Sequence, residues 1–190
     1  SFRDGHYDLT QYLIQNGADY NNIFVACISL KNYPALKTLL KLGANLTSLN
    51  QEGLTILFEV LEDPESFEID KEMLKFLQEN GLNLNQPNRD GIRAICALTQ
   101  HPLKKSLPIF KLLKKSGIEL NFVTESHTSL LRFFLAKQPH QTSEKELRQF
   151  YDFLKQHKYD FDQILENKTY LMQAIKNNLP QEHIIILMDY

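Results

Sequence analysis

Cysteine, clustered glycine and long apolar runs are all scarce in this 190-residue chain, which has two cysteines and seven glycines. No stretch approaches the roughly 18 apolar residues of a membrane-crossing helix, and the amino end lacks the charged-then-apolar order of a secretory signal. The glycines stand singly, so there is no glycine-rich phosphate loop and no Gly-x-Ser-x-Gly elbow. The six histidines, His6, His101, His127, His140, His157 and His183, fall into no His-Glu-x-x-His or comparable ligand spacing. A net charge of -2 supplies no basic field to attract nucleic acid phosphates or anionic membranes. Catalytic grammar is missing, so no enzyme activity, cofactor, metal or small-molecule substrate is expected of these residues.

What the chain does have is repetition. Leu13 precedes Gly17 by four residues, as Leu39 precedes Gly43, Leu77 precedes Gly81 and Leu113 precedes Gly117. A recurring period marks a solenoid, in which each unit buries its apolar side against neighbours of the same shape. Aligned on the glycine, Tyr12-Leu13, Thr38-Leu39, Phe76-Leu77, Leu112-Leu113 and Phe153-Leu154 are equivalent pairs. Leu9, Ala35, Met73, Ile109 and Phe150 stand four residues earlier, on the same face of a helix. The glycine just past each helix end suits a C′ position, which commonly needs positive φ. In the fifth unit Lys158 takes this place, so a weaker or differently shaped cap is expected there.

A second pattern follows each polar link, at Gly53-Leu54-Thr55-Ile56-Leu57, Gly91-Ile92-Arg93-Ala94-Ile95, Ser126-His127-Thr128-Ser129-Leu130 and Asn167-Lys168-Thr169-Tyr170-Leu171. Leu57, Ile95, Leu130 and Leu171, with Val60 and Leu61, Leu98 and Thr99, Phe133 and Phe134, and Ala174 and Ile175, make a second apolar stripe at helical spacing. Each full unit is a turn, a helix, a link and another helix. The spacing predicts one all-α domain over 1–190, divided as 1–17, 18–43, 44–81, 82–117, 118–158 and 159–190, with the first and last units incomplete. Cys27 and Cys96 fall in different units among apolar neighbours. No bridge between them is expected, a reducing compartment fits, and a buried thiol without a base is inert.

These residues resemble the ankyrin repeat family. Gly5-His6-Tyr7-Asp8-Leu9 through Asn16-Gly17-Ala18-Asp19 looks like the family's second helix and its Asn-Gly-Ala-Asp exit, and Asn88-Arg89-Asp90-Gly91 looks like its finger turn. The resemblance covers the whole chain. It implies an all-α solenoid of stacked helix-turn-helix units with short or degenerate β-hairpin fingers, serving protein–protein interaction.

The departures from the family carry information too. Its Thr-Pro-Leu-His start is replaced by Thr55-Ile56-Leu57-Phe58, Arg93-Ala94-Ile95-Cys96, Thr128-Ser129-Leu130-Leu131 and Thr169-Tyr170-Leu171-Met172, which shifts the load onto packing. The intervals from Gly43 to Gly81, Gly81 to Gly117 and Gly117 to Lys158 exceed the family's ~33 residues. The surplus is expected between the paired helices, at Glu62–Phe67, His101–Lys105 and Lys137–Thr142, where Pro64, Pro102 and Pro139 end the first helix. Gly17 to Gly43 falls short, so helix is expected to begin near Ile23. Such irregularity resembles the arrays of intracellular bacterial effectors and of some viral proteins, which implies a cytoplasmic site of action or export into a host cytosol. The start inside a unit reads as a fragment of a longer protein. A scaffold or targeting arm fused to a catalytic domain elsewhere is the alternative function.

Two charged stretches stand out. Glu59, Glu62, Asp63, Glu65, Glu68, Asp70 and Glu72 straddle a proline-broken loop without a calcium-loop pattern, and read as a solvated patch. Lys104, Lys105, Lys111, Lys114 and Lys115 lie in a stretch without acids and without stacking aromatics, so nucleic acid is a disfavoured partner. Opposite patches in adjacent units suit an ordered protein partner better.

In the family, partners lie along the concave side, against finger tips and the flank of the first helices. Carried onto this chain, the tips are Asn50, Gln51 and Glu52; Asn88, Arg89 and Asp90; Glu125, Ser126 and His127; and Glu166, Asn167 and Lys168. Phe58 and Leu131, one step past the core position, are the expected apolar anchors. Asn, Asp and Gly also fill turns for backbone reasons alone. At the other end of the chain, the apolar run Ile184 to Met188 begins a helix whose outer side wants a neighbour or a polar cap.

Overall fold

The computed structural model describes residue 16 and residues 20–62, 69–137 and 142–190. The expected unit 1–17, with Leu9, Tyr12, Leu13, His6 and Gly17, lies almost wholly outside the described residues, as do Asp63, Glu65 and Glu68, and Pro64, Pro139 and His140 of the insertions. The described chain is all-α, with α1 at Asn21–Ser29, α2 at Tyr33–Lys41, α3 at Ile56–Glu62, α4 at Lys71–Glu79, a 3-10 helix at Ala94–Gln100, α5 at Leu103–Lys115, α6 at Leu130–Lys137, α7 at Glu144–Gln156, α8 at Tyr170–Lys176 and α9 at Gln181–Met188. Extended pairing among the described residues is limited to isolated antiparallel bridges, Leu49 with Thr55, Pro87 with Arg93 and Leu165 with Lys168. None of the described helices is long and apolar enough to cross a membrane.

Two rows of helices follow chain order. In one, α1 packs on α3, α3 on the 3-10 helix, the 3-10 helix on α6 and α6 on α8; in the other, α5 packs on α7 and α7 on α9. Tyr33 of α2 meets Phe76 of α4 edge-on at 5.2 Å. The core is continuous along both rows, and within it Phe110 and Phe134 both pack on Phe150, with ring centroids 5.3 Å and 4.7 Å away. The stripe expected at four residues before the pair is buried at Met73 and Phe150, but at α2 and α5 the fully buried residues are Leu36 and Phe110, with Ala35 and Ile109 half-buried. Spacings of three and four share a helix face, so the side turned to the core is set by each helix's own neighbours.

Helix starts follow local side-chain chemistry. The Asp70 carboxylate accepts from Met73 N at 2.8 Å, and Ser143 and Glu146 form a reciprocal capping box on α7. Helix α1 begins at Asn21, two residues before the expected start. The surplus at His101–Lys105 is absorbed differently from the expectation: Pro102 caps α5, which is extended to 13 residues, and its partner in that unit is the 3-10 helix.

Helix ends share one hydrogen-bond pattern. Gly81 takes φ +102°, its N–H reaches Gln78 O at 3.1 Å and Leu82 N reaches Leu77 O at 2.9 Å, which is a Schellman motif. Lys158, expected to alter the cap, reproduces it with φ 56°, Lys158 N to Lys155 O at 3.0 Å and Tyr159 N to Leu154 O at 3.0 Å. The backbone pattern is kept and the lysine bears the strain of a left-handed residue.

Candidate partner-binding face

Each turn between units is closed by its own first residue. Asn50 N donates to Leu54 O at 2.9 Å, and Asn50 Oδ1 accepts from Leu54 N at 2.8 Å. Asn88 does the same with Ile92, its Oδ1 accepting from Asp90 N at 3.0 Å and Ile92 N at 2.8 Å. Thr124 replaces asparagine in the next turn, its Oγ1 accepting from Thr128 N at 2.9 Å. Asn50 and Asn88 are therefore committed to turn closure, and Asn88 is buried. The exposed tip residues are Gln51, Glu52, Arg89, Asp90, Glu125, Ser126, His127, Glu166 and Asn167, with Lys168 half-buried.

The same bonds fix the register between turns. Gly53 N reaches Asn50 O, Gly91 N reaches Asn88 O and His127 N reaches Thr124 O, so His127, at φ 55°, is the counterpart of Gly53 and Gly91. This is one residue later than the alignment on Ser126, and Thr55, Ser129 and Thr169 fall in line as helix caps. The shift places Leu131 on the Leu57 core position, where it is fully buried. Phe58 is buried as well, because α3 is covered on one side by α1 and on the other by the 3-10 helix. Neither residue serves as the surface anchor expected of it; truncating either removes core packing, worth about 2–5 kcal/mol at such sites.

The first turn is tied to the second, and the third to the fourth. Arg89 N donates to Gly53 O at 2.8 Å and the Arg89 guanidinium reaches Gln51 O at 3.4 Å. Gly53 leaves room for this contact, since a Cβ there would stand 2.5 Å from Arg89 Cβ. Arg132 donates to His127 O at 2.9 Å and ion-pairs with Glu166 of the next turn, holding that carboxyl below its usual range. Arg93 pairs with Glu119 at 2.7 Å while lying 4.8 Å above the Phe122 ring. Arg93 and Arg132 were not among the expected residues, because the sequence does not show which turn a long side chain bridges.

A groove of about 530 Å³ lies between the turns at Asn88–Gly91 and Phe122–Ser126, lined by Arg89, Asp90, Val123 and Glu125 among others. Val123 is 44% exposed, an aliphatic surface that the expectation had assigned to Phe58 and Leu131. Among the described residues no group of three or more His, Cys, Asp or Glu side chains converges as a metal site. Both cysteines are free and buried, and burial pushes the Cys96 thiol up to about 12, far from a nucleophilic thiolate. No family model matches the chain, and no curated protein matches it.

Proposed function

We propose that the chain is a protein-docking module, an ankyrin-like solenoid that grips a partner along its row of inter-unit turns. The observation that carries this reading is the tying of turns in pairs, Arg89 holding the first turn to the second and Arg132 the third to the fourth, which presents two pre-ordered pairs of tips on either side of the groove between the second and third turns. Pre-ordering lowers the entropy lost on binding.

Every tip exposes one carboxylate, Glu52, Asp90, Glu125 or Glu166. The partner that fits is a protein surface with basic groups at the turn spacing and an apolar side chain for the groove beside Val123. Nucleic acid does not fit this face, because the carboxylates repel a polyanion.

The test is affinity capture from a cell lysate, with the intact chain compared against Asp90→Lys/Glu125→Lys and against Val123→Asp. Charge reversal is expected to abolish the captured species at an unchanged melting temperature, and capture by the intact chain is expected to weaken as salt rises. Equal capture by all three proteins overturns the reading.

A further inference from the structure

Gly53 O, Gly91 O and His127 O hold the same place in the first, second and third turns, since the N–H of each of these residues closes its turn in the same way. Two of the three carbonyls are taken by an arginine. Gly53 O accepts from Arg89 N at 2.8 Å, with the Arg89 guanidinium on Gln51 O. His127 O accepts from the Arg132 guanidinium, whose other terminal nitrogen pairs with the Glu166 carboxylate. Gly91 O accepts no hydrogen bond from the described residues, and Gly91 lines the groove between the second and third turns.

The carboxylate half of the Arg132 arrangement recurs in that groove. Leu165 opens the fourth turn by donating to Lys168 O, as Thr124 opens the third by donating to Thr128 O. Glu166 and Glu125 are thus the second residues of their turns, and Gly91 O with Glu125 repeats the pairing of His127 O with Glu166. The arginine is what differs. Counted from Arg93 and Ser129, which precede the equivalent helices, Arg132 corresponds to Cys96, a fully buried thiol that cannot reach the groove. The two cations lining the groove are engaged elsewhere, Arg89 on Gln51 O and Arg93 with Glu119 at 2.7 Å above the Phe122 ring. Asp90 and Glu125 are exposed and form no ion pair among the described residues.

We propose that this groove is a guanidinium site, in which an arginine side chain of the docked protein takes the place between the second and third turns that Arg132 takes between the third and fourth. The proposal deepens the reading of the turn tips as a docking face and rests on it. One terminal nitrogen of the fork donates to Gly91 O and the other to the Glu125 carboxylate, as those of Arg132 do one unit on. Asp90 supplies a second carboxylate in the same groove, and the aliphatic stem of the incoming side chain lies against the exposed Val123. A lysine fits less well, because its ammonium is a point charge without a planar fork to span a carbonyl and a carboxylate.

The probe is acetyl-arginine-amide, titrated into the isotope-labelled 190-residue chain at low salt and followed by nuclear magnetic resonance. Saturable shifts are expected at the amides of Gly91, Ile92 and Glu125, with a dissociation constant on the order of 1–20 mM for so small a ligand. Acetyl-lysine-amide is expected to bind at least about threefold more weakly, and acetyl-citrulline-amide, the uncharged isostere, not to saturate. Glu125→Gln is expected to raise the dissociation constant for the arginine probe at least about threefold, while Glu182→Gln, at an exposed carboxylate of α9, leaves it unchanged. Both side chains are exposed, so the melting temperature is expected to persist in each variant. No saturable shift up to about 50 mM, shifts that Glu125→Gln leaves untouched, or equal binding of the lysine probe overturns the proposal. If capture from lysate still depends on Asp90 and Glu125, such a result removes the arginine and leaves the docking face standing. Saturable arginine binding beside capture that is equal across the variants removes the docking reading and leaves the guanidinium site.

Discussion

The side-chain amide of Asn121 spans the left-handed bend at Lys158 in the next unit, its Nδ2 donating to Lys158 O at 2.9 Å and its Oδ1 accepting from Asp160 N at 3.1 Å. One unit earlier Asn85 makes the same clamp, donating to Gly117 O at 3.3 Å and accepting from Glu119 N at 2.8 Å. Each asparagine holds the helix exit of its neighbour, so the units are joined by polar bonds as well as by apolar packing. Asn85→Ala and Asn121→Ala are each expected to lower stability by about 0.5–1.5 kcal/mol. In urea denaturation the two losses should add, because the clamps share no partner.

The bend that Asn121 spans lacks glycine. Lys158 at φ 56° carries a side chain in a conformation that Gly117 adopts freely at φ +103°. Lys158→Gly is expected to raise stability by up to about 1 kcal/mol, and Gly117→Ala to lower it by about 1–2 kcal/mol. Since no atom lies within 4 Å of a Cβ at Gly117, the second cost is conformational alone. Gly53→Ala should cost more than Gly117→Ala, because it also displaces Arg89 and loosens the tie between turns. Thermal melts of the three proteins rank these effects.

The helix pairs were legible because apolar spacing and the recurring glycine report burial and helix ends, which are local properties. The side of each helix that is buried was less so: Leu36 and Phe110 lie three residues before Leu39 and Leu113, and only the neighbouring helices distinguish that position from Ala35 and Ile109. The expected anchors failed for a related reason. Phe58 sits on a helix covered from both sides, and Leu131 was displaced by a one-residue turn register that only the His127 hydrogen bond reveals. Asn85 and Asn121 left a faint signal, each standing four residues after a cap glycine, Gly81 and Gly117. Their partners are backbone groups a full unit away, so their role becomes visible only when the units are stacked.

Tyr159 and Tyr151 are both buried phenols with opposite expected effects. Tyr159 Oη accepts from Leu131 N at 3.0 Å and bonds Tyr170 Oη at 3.1 Å, which in turn donates to Gln163 Oε1 at 2.7 Å. Tyr159→Phe leaves the buried Leu131 N–H without its acceptor and is expected to cost about 1–3 kcal/mol. Tyr151 is fully buried and its hydroxyl has no hydrogen-bond partner among the described residues. Tyr151→Phe removes an unpaired polar atom and is expected to leave the urea midpoint unchanged or to raise it.

Those phenols also set the alkaline limit of the fold. Burial pushes the Tyr151, Tyr159 and Tyr170 hydroxyls above the ordinary value of 10.0, and burial with the Asp152 carboxylate pushes Tyr190 up to about 12. In the unfolded chain they ionise near the ordinary value, while the folded chain keeps them neutral. Their contribution is complete below about pH 10 and is lost as pH rises towards the folded-state values. Stability is therefore expected to fall steeply above about pH 10. Ultraviolet difference absorbance should show Tyr151, Tyr159 and Tyr170 ionising only together with loss of helical signal. Ionisation of all eight tyrosines in one early phase, with the helical signal intact, would contradict this packing of the phenols.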